Sequence, residues 1–389
     1  MNEKKSLNRF AHIDTLRGLA ALYVCFYHLA LLPNPDLGVP YWTRQIVLTG
    51  GTGVTLFFVV SAFTLCYSMQ ARSDSPNPIY DFYVRRIFRI IPLFYVWMVI
   101  SLIRDRYIYG ATHSLGDVLL STFFVFNLIP GKETGFVWAS WTLGVEMLFY
   151  LMFPLVFRYV TDYRRALALF LVTIVVSRAF QYLLVYLPMS DEQRGNYYYF
   201  SFLHQLPVFA AGVLSFFLYE AFIKGKEVNR SWGIILMGVF VFLYDALLSG
   251  KLKNILLDGL YWQAIAYGCL LLGLSIFPWK LVVNKFTGFL GLISYSFYLT
   301  HTTVIAAFQP LYSNLYSLEF PKTFQFFFSA AITVTAVILL SYLSYRLIEE
   351  PGMHLGRCLI RKKNASIHQV DSVSSIETKL LKENPPSPE

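Results

Sequence analysis

Long apolar stretches, each close to the length that crosses a lipid bilayer, recur along the whole chain. Eleven such segments can be delimited, at 14–32, 51–70, 88–104, 115–130, 141–160, 165–187, 204–222, 231–249, 257–277, 287–308 and 324–348. A helix needs about 20 mainly apolar residues to cross the hydrocarbon core. Charged residues make up only 14% of the chain, against about 25% in soluble domains. The sequence therefore predicts an all-α fold, a polytopic bundle of transmembrane helices whose partner is the lipid bilayer.

Basic residues indicate which of these segments cross. They form six clusters at or beyond the ends of the segments: Lys4/Lys5/Arg9, Arg85/Arg86/Arg89, Arg158/Arg164/Arg165, Lys224/Lys226/Arg230, Lys280/Lys285 and Arg357/Arg361/Lys362/Lys363. All six fall on one side of the membrane if segment 115–130 does not cross, and Lys and Arg are enriched in cytoplasmic loops. That segment is also short and ends at Pro130. We predict about ten spanning helices in the cell's plasma or inner membrane, both termini in the cytoplasm, and 115–130 as a re-entrant or interfacial helix.

Net charge, cysteine content and the composition of the tail limit the possible domain organisation and the possible partners. Cytoplasmic loops account for the net charge of +9, so nucleic acid is not a predicted partner. Four cysteines without a CxxC pair argue against a zinc site or a disulfide framework. We predict a membrane domain over 1–357 and a disordered cytoplasmic tail over 358–389, which is rich in Ser, Lys and Glu. The sequence leaves the oligomeric state open.

A few polar residues interrupt the first apolar segment. Arg17 and His28 are eleven residues apart, so they share a helix face and lie roughly 16 Å apart along the axis. Asp14 lies one turn before Arg17 on a similar face. A histidine at membrane depth is costly and is usually functional. From His28 alone, a purely structural role, in which the histidine forms a hydrogen bond to a neighbouring helix, is as well supported as a functional role.

Two further groups of polar residues lie in or beside later segments. Glu146 lies in an apolar stretch with no charged residue nearby in sequence, so it needs a partner, for which an Arg, a His or a bound substrate is a candidate. Arg86 and Arg89 share a helix face before the third span. Anionic lipid is one explanation of that basic cluster, and a phosphate-bearing substrate is the other, because the Arg fork suits phosphate.

Two more segments combine small or polar residues at helical spacing. Gly50, Gly51 and Gly53 open the second span and permit close packing of helices, as do the small residues Ser61 and Ala62 further along it. In the tenth predicted span, the residues at i, i+4 and i+7 of one face are Ser294, Tyr298 and His301.

Taken in order, these blocks resemble the acyltransferase 3 family of membrane proteins, which O-acylate sugars and related acceptors. The resemblance runs from Ile13 to Pro351 and includes the Arg17-x10-His28 spacing. The other matching blocks are GTGVTLFFVVSAF, RRIFRIIP, WTLGVEMLFYLMFP, LGLISYSFYLTH and IEEP. Ala62 and Thr142 stand where the family usually has Gly and Ser, both changes that are conservative in size.

The resemblance implies an integral membrane O-acyltransferase. Its donor would be a cytoplasmic acyl-CoA, most often acetyl-CoA, and its acceptor a hydroxyl of a surface glycan or a related molecule. Such a transfer needs a base or a nucleophile, and the candidate catalytic residues are His28, Asp14 and Glu146, the last two to orient or charge-balance the histidine. The candidate donor-binding residues are Arg17, Arg86, Arg89 and Ser61. The candidate substrate-binding residues are Trp141, Tyr298 and His301, and no metal site is predicted.

A transporter or flippase of a lipid-linked sugar or acyl group is the main alternative, because intramembrane His, Glu and Arg also suit a polar pathway. The order of the motifs, and the lack of an inverted repeat in the sequence, favour the enzyme. A scaffold without catalysis ranks last, because it would not need polar residues in an apolar core.

Overall fold

The computed structural model of the chain describes residues 11–34, 36–252 and 258–383, with side chains described as far as Ile367. The cluster Lys4/Lys5/Arg9 that supported the topology lies outside the described residues. Within them the chain forms sixteen α-helices and no β-strand, which confirms the predicted all-α class.

The helices follow one another in a simple order. They are α1 (Ala11–Leu31), α2 (Tyr41–Leu48), α3 (Gly53–Gln70), α4 (Pro78–Tyr107), α5 (Leu115–Thr122), α6 (Trp141–Tyr159), α7 (Tyr163–Leu183), α8 (Asp191–Phe200), α9 (Phe202–Phe222), α10 (Arg230–Leu248), α11 (Gly259–Ile276), α12 (Lys285–Leu292), α13 (Ser294–Ala307), α14 (Gln309–Tyr316), α15 (Lys322–Ser344) and α16 (Glu350–Glu383).

Many of these helices are long enough and apolar enough to cross a membrane. Eight meet that description in the described part of the chain, or nine if the bent pair α12 and α13 forms one span. The 21-residue helix α1, which contains Asp14, Arg17 and His28, is not among them. The protein is thus a multi-pass membrane protein, while the count of ten spans stays a prediction.

Segment 115–130, which the charge pattern excluded from crossing, does not form a long helix. It holds α5, of eight residues, and a single 3-10 turn at Phe126–Leu128. A helix of eight residues is only about 12 Å long. Its start is held by a capping box in which the Ser114 hydroxyl and the Asp117 carboxylate each bond the other's backbone N–H.

Helix α1 lies in the middle of the bundle and packs against α3, α12 and α13. The contact with α3 depends on glycine, because a Cβ added at Gly53 would lie 2.7 Å from the carbonyl oxygen of Ala20. The close approach predicted for this glycine-rich start of the second span is therefore observed. Helix α9 packs on the other side of α3, which places α3 between two neighbours.

Two local breaks in helices determine which side chains face the interior. Between α12 and α13 the axis turns by 76°, so α13 enters the bundle core with nearly all of its residues buried. Between α15 and α16 the chain forms a π turn at Tyr345–Glu349. Such bulges change the rotation of the following helix and are frequent at functional sites.

The last helix packs against α4 and continues without a break through residue 357 to Glu383. The structure therefore describes helix over most of the segment for which composition predicts disorder. The domain boundary at 357 stays a prediction.

Candidate functional site

Two histidines from distant parts of the chain meet at the end of α1. His28 Nδ1 lies 2.9 Å from Nε2 of His301 on α13, and the ring centres are 5.0 Å apart. His301 is fully buried, whereas His28 is only partly buried. The other ring nitrogen of His301, Nδ1, lies 2.6 Å from the carbonyl oxygen of Tyr298.

This chain of contacts determines which nitrogens hold protons when both rings are neutral. The Tyr298 carbonyl can only accept, so His301 Nδ1 donates to it. His301 Nε2 is then the acceptor, and His28 Nδ1 donates to it. The lone pair of His28 Nε2 is consequently left free for a proton. The arrangement has the geometry of a base held in one tautomer by a second group.

A cavity of about 880 Å³ lies beside His28, at the end of the bundle where α1 ends and α3 and α6 begin. We name it the His28 chamber. Its wall includes His28, Gly51, Trp141, Tyr199 and Tyr298. Two of the predicted substrate-binding residues, Trp141 and Tyr298, thus line the same cavity as the predicted catalytic histidine.

The opposite wall of the His28 chamber contains polar residues that sequence reasoning missed. The Asp105 carboxylate accepts from Arg104 Nε at 2.7 Å and contacts His113 Nε2 at 2.8 Å. The Arg104 guanidinium lies 3.7 Å from the centre of the Trp138 ring. Asp105, His113 and Trp138 all line the chamber. The adjacent charges Arg104 and Asp105, near the end of the third predicted span, were the available signal.

Glu146 lies deeper in the bundle and is held by two hydroxyls. Ser61 Oγ donates to its Oε1 at 2.6 Å, and the Tyr150 hydroxyl, one turn further along α6, donates to the same oxygen. The structure thus brings Ser61 and Glu146 together, although sequence reasoning assigned them different roles. Tyr150 was missed, and its i+4 spacing from Glu146 was the signal that could have found it.

The predicted donor-binding arginines surround this carboxylate. Arg17 interacts electrostatically with Arg89, Glu146 and Asp14, and Arg86 with Arg89 and Glu146. We name these three arginines the arginine cluster. Asp14 and Glu349 are further carboxylates close to it, so its suitability for a phosphate rests on the forked donors of arginine rather than on excess positive charge.

Arg86 retains hydrogen-bonding capacity in this cluster. Its guanidinium carbon lies 5.6 Å from the centre of the Tyr150 ring. Its Nε is buried and has no hydrogen-bond partner among the residues that the structure describes. A buried N–H without an acceptor is unfavourable, and a bound phosphate oxygen would satisfy it.

Glu349 is a further carboxylate of this region and lies at the end of the π turn. Its neighbour Glu350 pairs with Arg346, at 2.5 Å. Glu349 instead faces inward, is 1% exposed and accepts from Ser296 Oγ at 2.9 Å. It also interacts electrostatically with Arg89 and Arg17. The π turn, which sequence patterns do not show, accounts for this inward direction.

A narrow pocket of about 50 Å³ lies between the two polar regions. Its lining includes Arg17, Ser61 and Glu146 from the arginine cluster. It also includes Val54 and Tyr298, which line the His28 chamber as well. The narrow pocket therefore adjoins both the arginine cluster and the wall of the His28 chamber. Arg17 and His28 lie roughly 16 Å apart along α1.

Asp14 lies too far from His28 to contact it. Both residues belong to the continuous helix α1, in which fourteen residues correspond to about 21 Å. Asp14 lies close enough to Arg17 to interact with it. Within the described residues, no three His, Cys, Asp or Glu side chains are grouped so that they could hold a metal ion.

Fold and site together define a membrane protein whose core contains the arginine cluster and the His28 chamber. The chain belongs to the acyltransferase 3 family, because the family's acyltransferase domain matches residues 10–346. The protein is therefore a membrane acyltransferase, and the alternative of a transporter is not supported.

Relatives with descriptive names agree with this class. A protein of Acidianus two-tailed virus named "Putative acetyltransferase ORF330" is 28% identical over 74% of this chain and 81% of its own length. A Staphylococcus aureus (strain COL) protein named "Putative O-acetyltransferase" is 23% identical over 98% of this chain. The chain spans only 64% of that protein's length. The exopolysaccharide production protein ExoZ of Rhizobium meliloti (strain 1021) is 27% identical over 79% of this chain and 91% of its own length. No solved structure matches the chain.

Proposed function

We propose that the protein is an O-acyltransferase that moves an acyl group, in the first instance acetyl, from acyl-CoA to a hydroxyl of a surface glycan. The observation that carries this proposal is the pair His28 and His301, whose hydrogen bonds leave a free lone pair on His28 beside a large chamber. The names of the relatives support the acetyl group and the glycan, since one is described by O-acetyl transfer and another by exopolysaccharide production.

The donor would bind at the arginine cluster. Phosphates of CoA would accept a hydrogen bond from the buried Nε of Arg86 and would bind the forked donors of Arg17 and Arg89. The acyl end would extend through the narrow pocket past Ser61 and Glu146 towards His28. Because acyl-CoA is cytoplasmic, we propose that the arginine cluster and both termini face the cytoplasm of a cell whose plasma or inner membrane holds the protein.

The chemistry would take place in the His28 chamber. His28 Nε2 would remove the proton of the acceptor hydroxyl as the hydroxyl oxygen attacks the thioester carbonyl. The C–S bond then breaks, and the CoA thiolate takes the proton back from His28. His301 would hold the ring of His28 in position and stabilise its charged form during the reaction. Trp141 and Tyr298 would bind the acceptor.

A radiolabel assay tests the proposal. Membranes that contain the full chain are incubated with acetyl-CoA labelled in the acetyl group and with the surface polysaccharide of the same cell, and label in the polysaccharide is counted. We expect His28→Ala to lower the rate by roughly 10²- to 10⁴-fold, the usual contribution of a general base. The control is His354→Ala, which changes an exposed histidine of α16.

Label transfer by His28→Ala at the rate of the unaltered protein would refute the role of His28. Translocation of a lipid-linked glycan without incorporation of label into it would refute the reaction itself. Equal amounts of folded protein are verified by size-exclusion chromatography in detergent.

A further inference from the structure

A second cavity, of about 1000 Å³, lies next to the His28 chamber. We name it the Asp258 chamber. The two cavities share the wall residues Tyr27, Gly51, Val54, Trp141 and Tyr199. The second cavity therefore opens at the same end of the bundle as the first. None of the predicted catalytic residues lines it.

The size of this space exceeds what transfer to one sugar unit requires. Ligand pockets of roughly 300–1,000 Å³ bury most of a drug-sized molecule. Each chamber lies near the top of that range, so the pair offers room for several linked sugar units. An acceptor as small as a monosaccharide would leave the Asp258 chamber unused.

The wall of the Asp258 chamber places the imidazole of His204 beside the carboxylate of Asp258. His204 Nδ1 lies 3.2 Å from the Tyr199 carbonyl oxygen and therefore holds a proton. His204 Nε2 lies 3.4 Å from Asp258 Oδ2. His204 is 3% exposed, and its buried Nε2 has no hydrogen-bond partner of good geometry in the described structure.

The position of the Asp258 carboxylate is fixed by the start of α11. Its Oδ1 accepts from the Leu260 N–H at 3.0 Å, which leaves Oδ2 beside His204. Both Asp258 Oδ2 and the unsatisfied His204 Nε2 can form a hydrogen bond with a ligand. Hydroxyls on neighbouring carbons of a sugar ring can each donate or accept, so one can bond to each residue.

The shared wall supplies the complementary apolar surface. Trp141 packs with its ring centre 5.0 Å from that of Phe200 and 6.3 Å from that of Tyr199. Tyr199 is 52% exposed. Aromatic rings that are apolar on one face and close to polar groups on the other suit ligands of mixed character, and a pyranose ring has an apolar face of this kind.

We propose that the Asp258 chamber binds the sugar units next to the one that is acylated, with vicinal hydroxyls forming hydrogen bonds to Asp258 and His204 while the chain passes over Trp141. This inference rests on the proposed function and narrows it, since the acceptor is then a segment of an oligosaccharide or polysaccharide rather than a single sugar.

The experiment compares acceptors of different length. Fragments of the cell's surface polysaccharide, from one to six sugar units, are prepared by partial hydrolysis and tested with the full chain in detergent. The variant is Asp258→Asn, which keeps an oxygen for the cap of α11, where Asp258 accepts from the Leu260 N–H. The matched control is Asp162→Asn, the same change at the cap of α7, at a residue that lines neither chamber.

Two readouts separate this inference from the proposed function. The first is the ratio of kcat/KM for the six-unit fragment to that for the single sugar, which we expect to exceed ten in the unaltered protein. We expect Asp258→Asn to lower that ratio about tenfold and Asp162→Asn to preserve it. The second is binding of the six-unit fragment without acyl-CoA, measured by calorimetry, in which Asp258→Asn should weaken binding to a similar extent.

The outcomes are distinct. Fragment binding that depends on Asp258 supports the chamber even if no acetyl is transferred, a result that would refute only the proposed function. Transfer whose rate does not depend on acceptor length, or a ratio unchanged in Asp258→Asn, overturns the inference. It is also overturned if only lipid-linked fragments bind and Asp258→Asn has no effect, because the chamber would then hold lipid.

Discussion

Replacing His301 by Phe should slow the reaction through His28 without weakening substrate binding. The change removes the acceptor of the hydrogen bond that joins His28 Nδ1 to His301 Nε2 at 2.9 Å. In the proposed reaction His28 becomes positively charged, and a hydrogen bond from a charged donor is roughly twice as strong as one between neutral groups. The bond therefore stabilises the transition state more than the ground state, and its loss should appear in kcat.

The magnitude follows from the surroundings of the ring. A buried donor that loses its acceptor costs about 1–3 kcal/mol, which corresponds to roughly a 5- to 150-fold slower reaction. The carbonyl oxygen of Val24, one turn earlier on α1, also lies within hydrogen-bonding reach of the His28 ring. Because it retains part of the interaction, we expect a loss of about tenfold. His301→Gln, whose amide oxygen can accept the bond, should restore part of the rate.

The assay is acetyl transfer from labelled acetyl-CoA, with kcat and KM determined for donor and acceptor. The double variant of His28→Ala and His301→Phe should be no slower than His28→Ala alone, because His301 acts through His28. The positioning role of His301 would be refuted if the rate loss of the double variant equalled the product of the two single losses. It would also be refuted if His301→Phe raised the KM for the acceptor and left kcat unchanged. The second result would instead support the substrate-binding role predicted from the sequence.

Two further predictions concern the donor site and the packing of α1. Arg86→Gln should raise the KM for acyl-CoA by roughly 10-fold or more, because a hydrogen bond to a charged group contributes about 1.5–3 kcal/mol. The control is Arg158→Gln, at an exposed arginine outside the cluster. An equal KM in both variants would exclude a phosphate site at Arg86. Gly53→Ala should destabilise the fold by about 1–3 kcal/mol, since the new Cβ would lie 2.7 Å from the Ala20 carbonyl oxygen. Thermal unfolding in detergent measures this, and Gly238→Ala, where no atom lies within 4 Å of the added Cβ, should not lower the melting temperature.

Part of the candidate site was predictable from the sequence, because polar residues are conspicuous in apolar segments. His28, Glu146 and Arg17 could be selected one by one on the cost of placing a polar group in hydrocarbon. Their partners could not be selected in this way. Ser61 and Tyr150 surround Glu146, but a serine or a tyrosine in a membrane helix is too common to be noticed by itself.

Two further features of the site depend on helix geometry. Glu349 ends the π turn at Tyr345–Glu349 and faces the interior, because the extra residue in that turn changes the direction of the side chains at its end. Asp14 was offered as an orienting group for His28, although a continuous helix separates the two by about 21 Å. The contact of His28 is His301, which the sequence placed only on a helix face with Ser294 and Tyr298.

The sequence by itself determined the properties that depend on local chemistry. Lipid offers no hydrogen bonds, so each spanning segment must be an apolar helix of bilayer length, and such a segment is readable in isolation. This is why the all-α class, the membrane location and the failure of segment 115–130 to form a spanning helix could be predicted. Only the tertiary structure decided which faces of those helices meet. His28 and His301 are 273 positions apart, and their contact depends on the packing of α1 against α13 and on the 76° bend before it. Asp258 and His204 meet for the same reason, since the packing of α9 against α11, rather than any local pattern, brings the starts of these two helices together.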